Sequence, residues 1–200
     1  MIVKRFLDLF FSVFILFILS PVILFVALYI ALVDKTNPFY IQERVGKNGK
    51  LFKLIKYRTM INNRDDDIFI TIGMRDPRIT KLGYFLRKYK IDELPQLINI
   101  LLGHMSFVGP RPEIPKYVKQ YTPYQKQILK VKPGLTSYAS VKFSDENKMM
   151  EGQPDPEKYY IEKIMPEKIN LDMKYVEHHN LLIDFGIIYK TFLKIFILRR

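Results

Sequence analysis

The chain has no cysteine. No disulfide framework is therefore available, which fits a reducing compartment. It has no GxGxxG turn, no P-loop and no HExxH, so a Walker-type nucleotidase and a zincin protease are unsupported. No helix-turn-helix, zinc-finger or RNA-binding signature occurs, and nucleic acid is not an expected partner. Internal repeats and low-complexity tracts are absent. Acidic residues are in short supply, 20 against 32 Lys and Arg in 200 residues, giving a net charge of +12 and a pI near 9.7. A chain this basic suits an anionic partner, and with nucleic acid disfavoured an anionic membrane surface remains.

What the chain does have is one long apolar run. Residues 9–33 contain no Asp, Glu, Lys, Arg or His, and roughly 20 apolar residues suffice to cross a bilayer. The run is too long for a signal-peptide core, and the "DKTNPFY" after it offers no small-residue cleavage site, so it is expected to be retained. Ser20-Pro21 lies near its centre. Proline removes one helical hydrogen bond and clashes with the preceding turn, and in hydrocarbon the freed carbonyl needs a partner. The Ser20 hydroxyl could supply one. Two geometries fit: a kinked spanning helix, and a re-entrant helix-break-helix that returns to the same face. Residues 9–19 rise about 16 Å and 22–33 about 18 Å, half a bilayer each. Charge favours the return. Lys4 and Arg5 precede the run, and residues 34–91 carry fourteen Lys or Arg against six Asp or Glu, so both flanks are basic. The tail "LLIDFGIIYKTFLKIFILRR" (181–200) mixes large apolar residues with charges. That pattern predicts an amphipathic helix in the interface rather than a span.

Between these ends the pattern predicts a small α+β domain, mainly helical. "FYIQERVGKNGKLFKLIKYRTM" (39–60) reads as a β-hairpin turning at Gly46–Gly49, and "NNRDDD" (62–67) as a polar loop. Leu82, Phe85, Leu86 and Tyr89 recur at helical spacing in 79–90. "IDELPQLINILLGHMS" (91–106) predicts a helix capped by Asp92, with Pro95 in its first turn and Gly103 at its end. Residues 107–117, with three prolines and a glycine, are expected to be irregular, "KPGLTS" (132–137) a turn, and 145–158 a polar loop. Helices are expected from about Asp155-Pro156 and over 166–180.

The adjacent carboxylates Asp92-Glu93 are the main chemical candidate. A pair at a helix start is usually a cap and a dipole partner. Here Lys56, Arg58, Arg87, Lys88 and Arg111 supply cations in nearby segments, and Arg111 is held between Pro110 and Pro112. Paired carboxylates can share Mg²⁺ with substrate phosphates, and this mixture suits phosphoryl transfer, where catalysis is mostly positioning and charge neutralisation. The remaining candidates are weaker. His178 and His179 are adjacent and would point about 100° apart on a helix. His104 reads as structural and Asp65-Asp66-Asp67 as a solvated face. Tyr117, Tyr121 and Tyr124 either pack or line a membrane-facing surface.

The chain resembles the monotopic phosphoglycosyl transferases, small bacterial sugar transferases of minimal catalytic-domain form. The resemblance rests on "KRFLDLFFS" (4–12), the Ser20-Pro21 break, "QERVGKNGKLFKLIKYRTM" (42–60), "RITKLGYFLRKYKIDELPQLINILLGHMSFVGPRP" (78–112) and "KPGLTS" (132–137), in that order. It implies transfer of a sugar 1-phosphate from a UDP-sugar to membrane polyprenol phosphate with release of UMP. This would be the first membrane step of O-antigen, capsule or glycoprotein glycan synthesis. It implies Asp92 as nucleophile through an aspartyl-phosphosugar intermediate, with Glu93 helping to hold Mg²⁺ or to position Asp92. Lys56, Arg87 and Arg111 fall on the phosphate side. Residues 1–34 become a re-entrant membrane hairpin and 35–200 a domain on the cytoplasmic face of the bacterial inner membrane, closed by the interfacial helix 181–200. A homodimer is compatible with this. His104 and "TSYASV" (136–141) depart from the family pattern, and the second departure, with loop 142–160, falls where sugar specificity is expected. The rival reading is a non-enzymatic, membrane-anchored scaffold of a glycan-assembly complex. It explains the apolar ends and leaves Asp92-Glu93 and Arg111 without a role.

Overall fold

The computed structural model describes residues 2–61, 73 and 76–197; "NNRDDD", Asp65-Asp66-Asp67 among it, and the last three residues lie outside the described residues. The apolar run forms α1 (Ile2–Val33), one helix with Pro21 inside it. The carbonyl that Pro21 leaves without its helical donor is that of Phe17, and it accepts from Ser20 Oγ at 2.8 Å. The serine before the proline thus supplies the missing donor, so helical structure continues where proline alone would break it.

α1 has two faces. Phe6, Phe10, Phe14, Phe17, Leu24, Phe25, Leu28 and Leu32 are exposed. The other face meets the rest of the chain from Lys4 to Ile30. Arg5 donates to the Ile100 and Leu101 carbonyls at 2.6 and 2.9 Å. Asp8 accepts from Ser106 Oγ and the Phe107 N–H, both at 3.1 Å. Ile15 and Leu16 pack on Phe52, Leu54, Leu97, Ile100 and Met105, and Val26 and Ile30 on Tyr57 and Leu86.

The hairpin forms as its sequence predicts. β1 (Phe39–Val45) and β2 (Leu51–Tyr57) pair antiparallel from Phe39↔Tyr57 to Val45↔Leu51. Asn48 and Gly49 turn the chain at φ +57° and +76°, the left-handed region in which Asn and Gly are the common occupants. β2 is secured twice. The Tyr57 hydroxyl donates to the Ile23 carbonyl of α1 at 2.8 Å. Buried Asn99 accepts from the Ile55 N–H at 3.0 Å and donates to the Lys53 carbonyl at 2.7 Å, so its amide continues the open edge of the strand.

α2 (Lys81–Lys88) starts where Thr80 caps the Gly83 N–H. Leu82 and Leu86 turn inward, whereas Phe85 is exposed and rests on Tyr89. The predicted helix 91–106 is much shorter than its pattern suggests. Ile91–Glu93 is a 3-10 turn, and α3 spans only Gln96–Leu101, with Pro95 rather than Asp92 at its N-cap and no side-chain cap bond. Gly103 does follow its end, at φ +84°.

Two segments expected to lack regular structure pair with each other. β3 (Ser106–Val108) and β4 (Gly134–Thr136) form a parallel pair. Between them lie α4 (Pro115–Val118) and the 3-10 stretch Gln125–Lys130. Both α5 (Tyr138–Lys142) and α6 (Glu146–Met149) are short, and α6, with buried Met150, gives structure to part of the expected 145–158 loop. α7 (Pro156–Tyr159) begins where Asp155 caps the Lys158 N–H. It runs through a π-turn, Tyr160–Ile164, into α8 (Met165–His178). That local widening ends two residues before Pro166, which has no N–H to donate, and π-bulges and prolines are both identifiable sites at which a helix bends. Tyr117 and Tyr121 pack in the core formed by these helices, while Tyr124 is exposed.

The tail forms α9 (Leu181–Phe196), capped by Asn180. Asp184 and Ile187 face inward; Leu182, Phe185, Tyr189, Phe192 and Phe196 form an exposed apolar stripe. Among the described residues the architecture is thus mainly helical α+β, with two small two-stranded sheets and one long apolar N-terminal helix.

Candidate active site

Three segments converge on Asp92 and Glu93: β2, α2 and the loop that carries Arg111. The Glu93 carboxylate takes a two-point contact from Arg111, Nη2 to Oε1 at 2.8 Å and Nη1 to Oε2 at 3.4 Å. Lys56 Nζ on β2 stands 3.6 Å from the same Oε1. Arg87, in the last turn of α2, donates from Nε to Thr59 Oγ1 at 2.9 Å and lies against Met60 Sδ, from where its charge acts on Asp92. Lys56, Arg87, Asp92, Glu93 and Arg111, named from the sequence, therefore belong to one constellation.

Close backbone packing sets these positions. A Cβ on Gly83 would lie 2.2 Å from the Thr59 carbonyl oxygen, so only glycine lets α2 approach Thr59 closely enough for the Arg87 contact. A Cβ on Gly134 would lie 2.1 Å from the Gly109 nitrogen. The Gly109 N–H donates to the Thr136 carbonyl at 3.0 Å and the Gly134 N–H to the Pro110 carbonyl at 2.9 Å, which fixes the loop that presents Arg111.

The two carboxylates differ in state. Burial alone would raise the pKa of Glu93, but Arg111, Lys56 and Lys90 outweigh it and hold Glu93 well below the ordinary range. Asp92 has no such clamp. Its Oδ1 is buried with no hydrogen-bond partner among the described residues. Burial raises its pKa, neighbouring Glu93 raises it further, and Lys56, Lys90 and Arg87 pull the other way. Burial pushes the Lys56 ammonium down to about 8 against the pull of Glu93. One carboxylate is tied up in ion pairs; the other keeps a buried oxygen without a hydrogen bond, beside cations.

Several residues here carried no signal in the sequence. Lys90 occupies the left-handed region at φ +57° between α2 and the dyad. Asp172 of α8 is buried and accepts from the Ala139 N–H at 3.0 Å and the Arg111 N–H at 3.4 Å, joining the Arg111 loop to α5. Glu113 accepts from Arg44 at 2.9 Å and from the Tyr160 hydroxyl. Lys168 pairs with Glu146 at 2.7 Å. Of the other cations read from sequence, Arg58 donates to the Asn37 carbonyl at 2.9 Å and Lys88 lies over the Tyr89 ring. His104 packs against Phe52, as its structural reading expects, and His178 and His179 are exposed.

Among the described residues no three His, Cys, Asp or Glu side chains converge as a metal cage. Asp92 and Glu93 alone match Mg²⁺ chemistry, in which one or two carboxylates share the ion with substrate phosphates and water. The unpartnered Asp92 oxygen is the donor such an arrangement would need.

Carboxylates and cations in this balance, beside a long apolar helix, are what an enzyme handling phosphate esters at a membrane would present. Comparison with known proteins gives the family. The family model for bacterial sugar transferases matches residues 1–198, and the chain belongs to that family. It is 36% identical over 200 residues to the UDP-glucose:undecaprenyl-phosphate glucose-1-phosphate transferase of Klebsiella pneumoniae, covering 98% of this chain and 41% of the relative. To the protein of the same name from Escherichia coli K12 it is 34% identical over 199 residues, covering 98% and 40%. An uncharacterized sugar transferase of Bacillus subtilis is 35% identical over 197 residues, covering 98% and 89%. The chain thus spans about two-fifths of the length of the first two relatives.

Proposed function

We propose that this chain transfers a sugar 1-phosphate from a UDP-sugar to polyprenol phosphate at the cytoplasmic face of the bacterial inner membrane, as a first membrane step in glycoconjugate synthesis. The observation that carries the reading is the buried, unpartnered Asp92 oxygen beside Lys56, Arg87, Lys90 and the Arg111–Glu93 pair, in a chain of this family. Four cations face two carboxylates. The surplus positive charge suits a diphosphate substrate.

In this reading the Asp92 carboxylate attacks the sugar-proximal phosphorus. The bond from that phosphorus to the bridging oxygen breaks, and its electron pair leaves with UMP. The aspartyl-phosphosugar is then attacked by a polyprenol phosphate oxygen, which returns Asp92 to its carboxylate form. Low solvent access makes Asp92 a poorly hydrated nucleophile, while Lys56 and Arg87 favour its charged form. Arg111 is held by Glu93 and Asp172 before substrate arrives, so its guanidinium needs little reorganisation to meet the phosphates. Asp92 and Glu93 would hold Mg²⁺, which supplies neutralisation of the charge on the leaving phosphate.

The apolar elements support the membrane placement. The exposed faces of α1 and α9 together with the basic flanks suit an anionic leaflet, and α1 is read as re-entrant, entering and leaving on one side. Incubating purified chain with UDP-sugars, Mg²⁺ and polyprenol phosphate should release UMP. Asp92→Asn should reduce that release by about a thousandfold or more, as loss of a covalent nucleophile does, and should abolish a phosphosugar adduct detectable by mass spectrometry. Full turnover by Asp92→Asn would overturn the nucleophile assignment, and a chain inert towards every UDP-sugar would favour the scaffold reading.

A further inference from the structure

Lys90 combines a strained backbone, an unpaired ammonium and a position two residues from Asp92. Its N–H donates to the Arg87 carbonyl at 3.3 Å and its carbonyl accepts from the Glu93 N–H at 3.2 Å. The residue is therefore the link that folds the end of α2 onto the dyad, and the link requires φ +57°, ψ +20°. Glycine is the usual occupant of this place just past a helix end, because a Cβ disfavours the left-handed region. Asparagine is the next most tolerant. A lysine here costs backbone stability, and what its side chain returns to the fold is charge at a distance rather than a bonded contact. Among the described residues Lys90 Nζ makes no hydrogen bond and no ion pair, although Asp92, Glu93 and Glu146 all lie within the reach of its charge. The other three cations already have protein partners: Lys56 and Arg111 are paired with Glu93, and Arg87 is bonded to Thr59.

We propose that Lys90 is a substrate-binding residue of this site, a mobile cation held unpaired beside the dyad to engage the phosphate oxygens of the nucleoside diphosphate or of the lipid phosphate. The inference rests on the transfer reaction proposed above and adds to it a fourth phosphate ligand placed by a left-handed turn. A lysine suits the role, being a compact charge on a flexible stem that can follow a phosphate moving from one bonding partner to the next.

Strain and function make opposite predictions for the same substitution. Lys90→Gly relieves the backbone, so Tm should stay the same or rise. The same variant should lower kcat/KM for UMP release about tenfold or more and weaken UDP binding by calorimetry. Lys90→Asn, which also tolerates the left-handed region, should behave alike, and Lys90→Arg should restore most of the activity despite its strain. A rise in KM for the UDP-sugar alone assigns the contact to the nucleotide side, and a rise in KM for polyprenol phosphate alone assigns it to the lipid phosphate. Lys90→Gly with kcat/KM and UDP affinity within twofold of wild type would overturn the proposal while leaving the transfer reading intact. A wild-type chain that neither binds UDP nor releases UMP would remove both.

Discussion

Asp172 is buried on α8, where its carboxylate accepts from the N–H groups of Arg111 and Ala139. Burial raises its pKa from 3.8 to about 6, against the opposite pull of those N–H groups, Ser137 and Lys168. Between these two values the folded chain binds a proton that the unfolded chain releases. The stability this adds is fully present below the unfolded pKa and is lost as the pH rises through about 6. The whole displacement corresponds to about 3 kcal/mol, of which roughly 1 kcal/mol changes between pH 7 and pH 5. Asparagine does not titrate. Wild type should therefore gain about 1 kcal/mol over Asp172→Asn on going from pH 7 to pH 5, read as a growing Tm difference in detergent. A pH-independent difference would refute this account. At this scale the sequence revealed residues whose oddity is local: adjacent Asp92-Glu93, and Arg111 between two prolines. Asp172 and Lys90 stayed hidden for a different reason. One is an ordinary helical aspartate until the fold brings Arg111 to it; the other is an ordinary lysine until its φ is known.

The elements divide in the same way. The hairpin, α2, α8 and the start of α7 follow from periodicity, turns and caps that lie within each segment. Helix 91–106 and the "KPGLTS" turn do not come out as read. Asp92 falls inside a 3-10 turn instead of capping the helix, Pro95 takes the N-cap, and α3 is cut to six residues. "GLT" becomes a strand only because Ser106–Val108 lies beside it, and no local pattern announces a three-residue strand. This pair depends on the contact between Gly109 and Gly134. A methyl group at Gly134 would press on the Gly109 backbone at 2.1 Å, which no side-chain rotation relieves. Gly134→Ala should cost about 2 kcal/mol or more, towards the upper end for overpacking, and should lower UMP release by displacing Arg111. Gly186→Ala in α9 meets nothing within 4 Å and should be neutral or stabilising by roughly 0.5–1 kcal/mol, as for glycine in a helix. Thermal melts of the two variants side by side provide the check, and equal melts would refute it.

At the scale of the molecule, two exposed apolar helices are joined at their starts. Lys4 of α1 pairs with Asp184 of α9 at 2.5 Å, Tyr175 donates to the same carboxylate at 2.7 Å, and both Lys4 and Tyr175 donate to the Val108 carbonyl. Along the rest of α1, contacts with the body continue to Ile30. A helix crossing the membrane commits about 20 residues to a hydrocarbon core roughly 30 Å thick. No stretch of α1 that long is clear of the body. A crossing would therefore draw β2 and α3, with Lys53, Lys56 and Asn99, into hydrocarbon, where unscreened charge is costly. The proposed entry and exit on one side would avoid that cost, and would leave the exposed phenylalanines of α1 (Phe6, Phe10, Phe14, Phe17 and Phe25) for lipid contact. Because the chain contains no cysteine, single reporters can be placed cleanly. Ile2→Cys and Lys35→Cys should both resist a membrane-impermeant maleimide added to intact spheroplasts, and both should react in inverted vesicles. Reaction of one from outside and the other only from inside would establish a span, and with it the entry of the β2 lysines and of polar Asn99 of α3 into the bilayer.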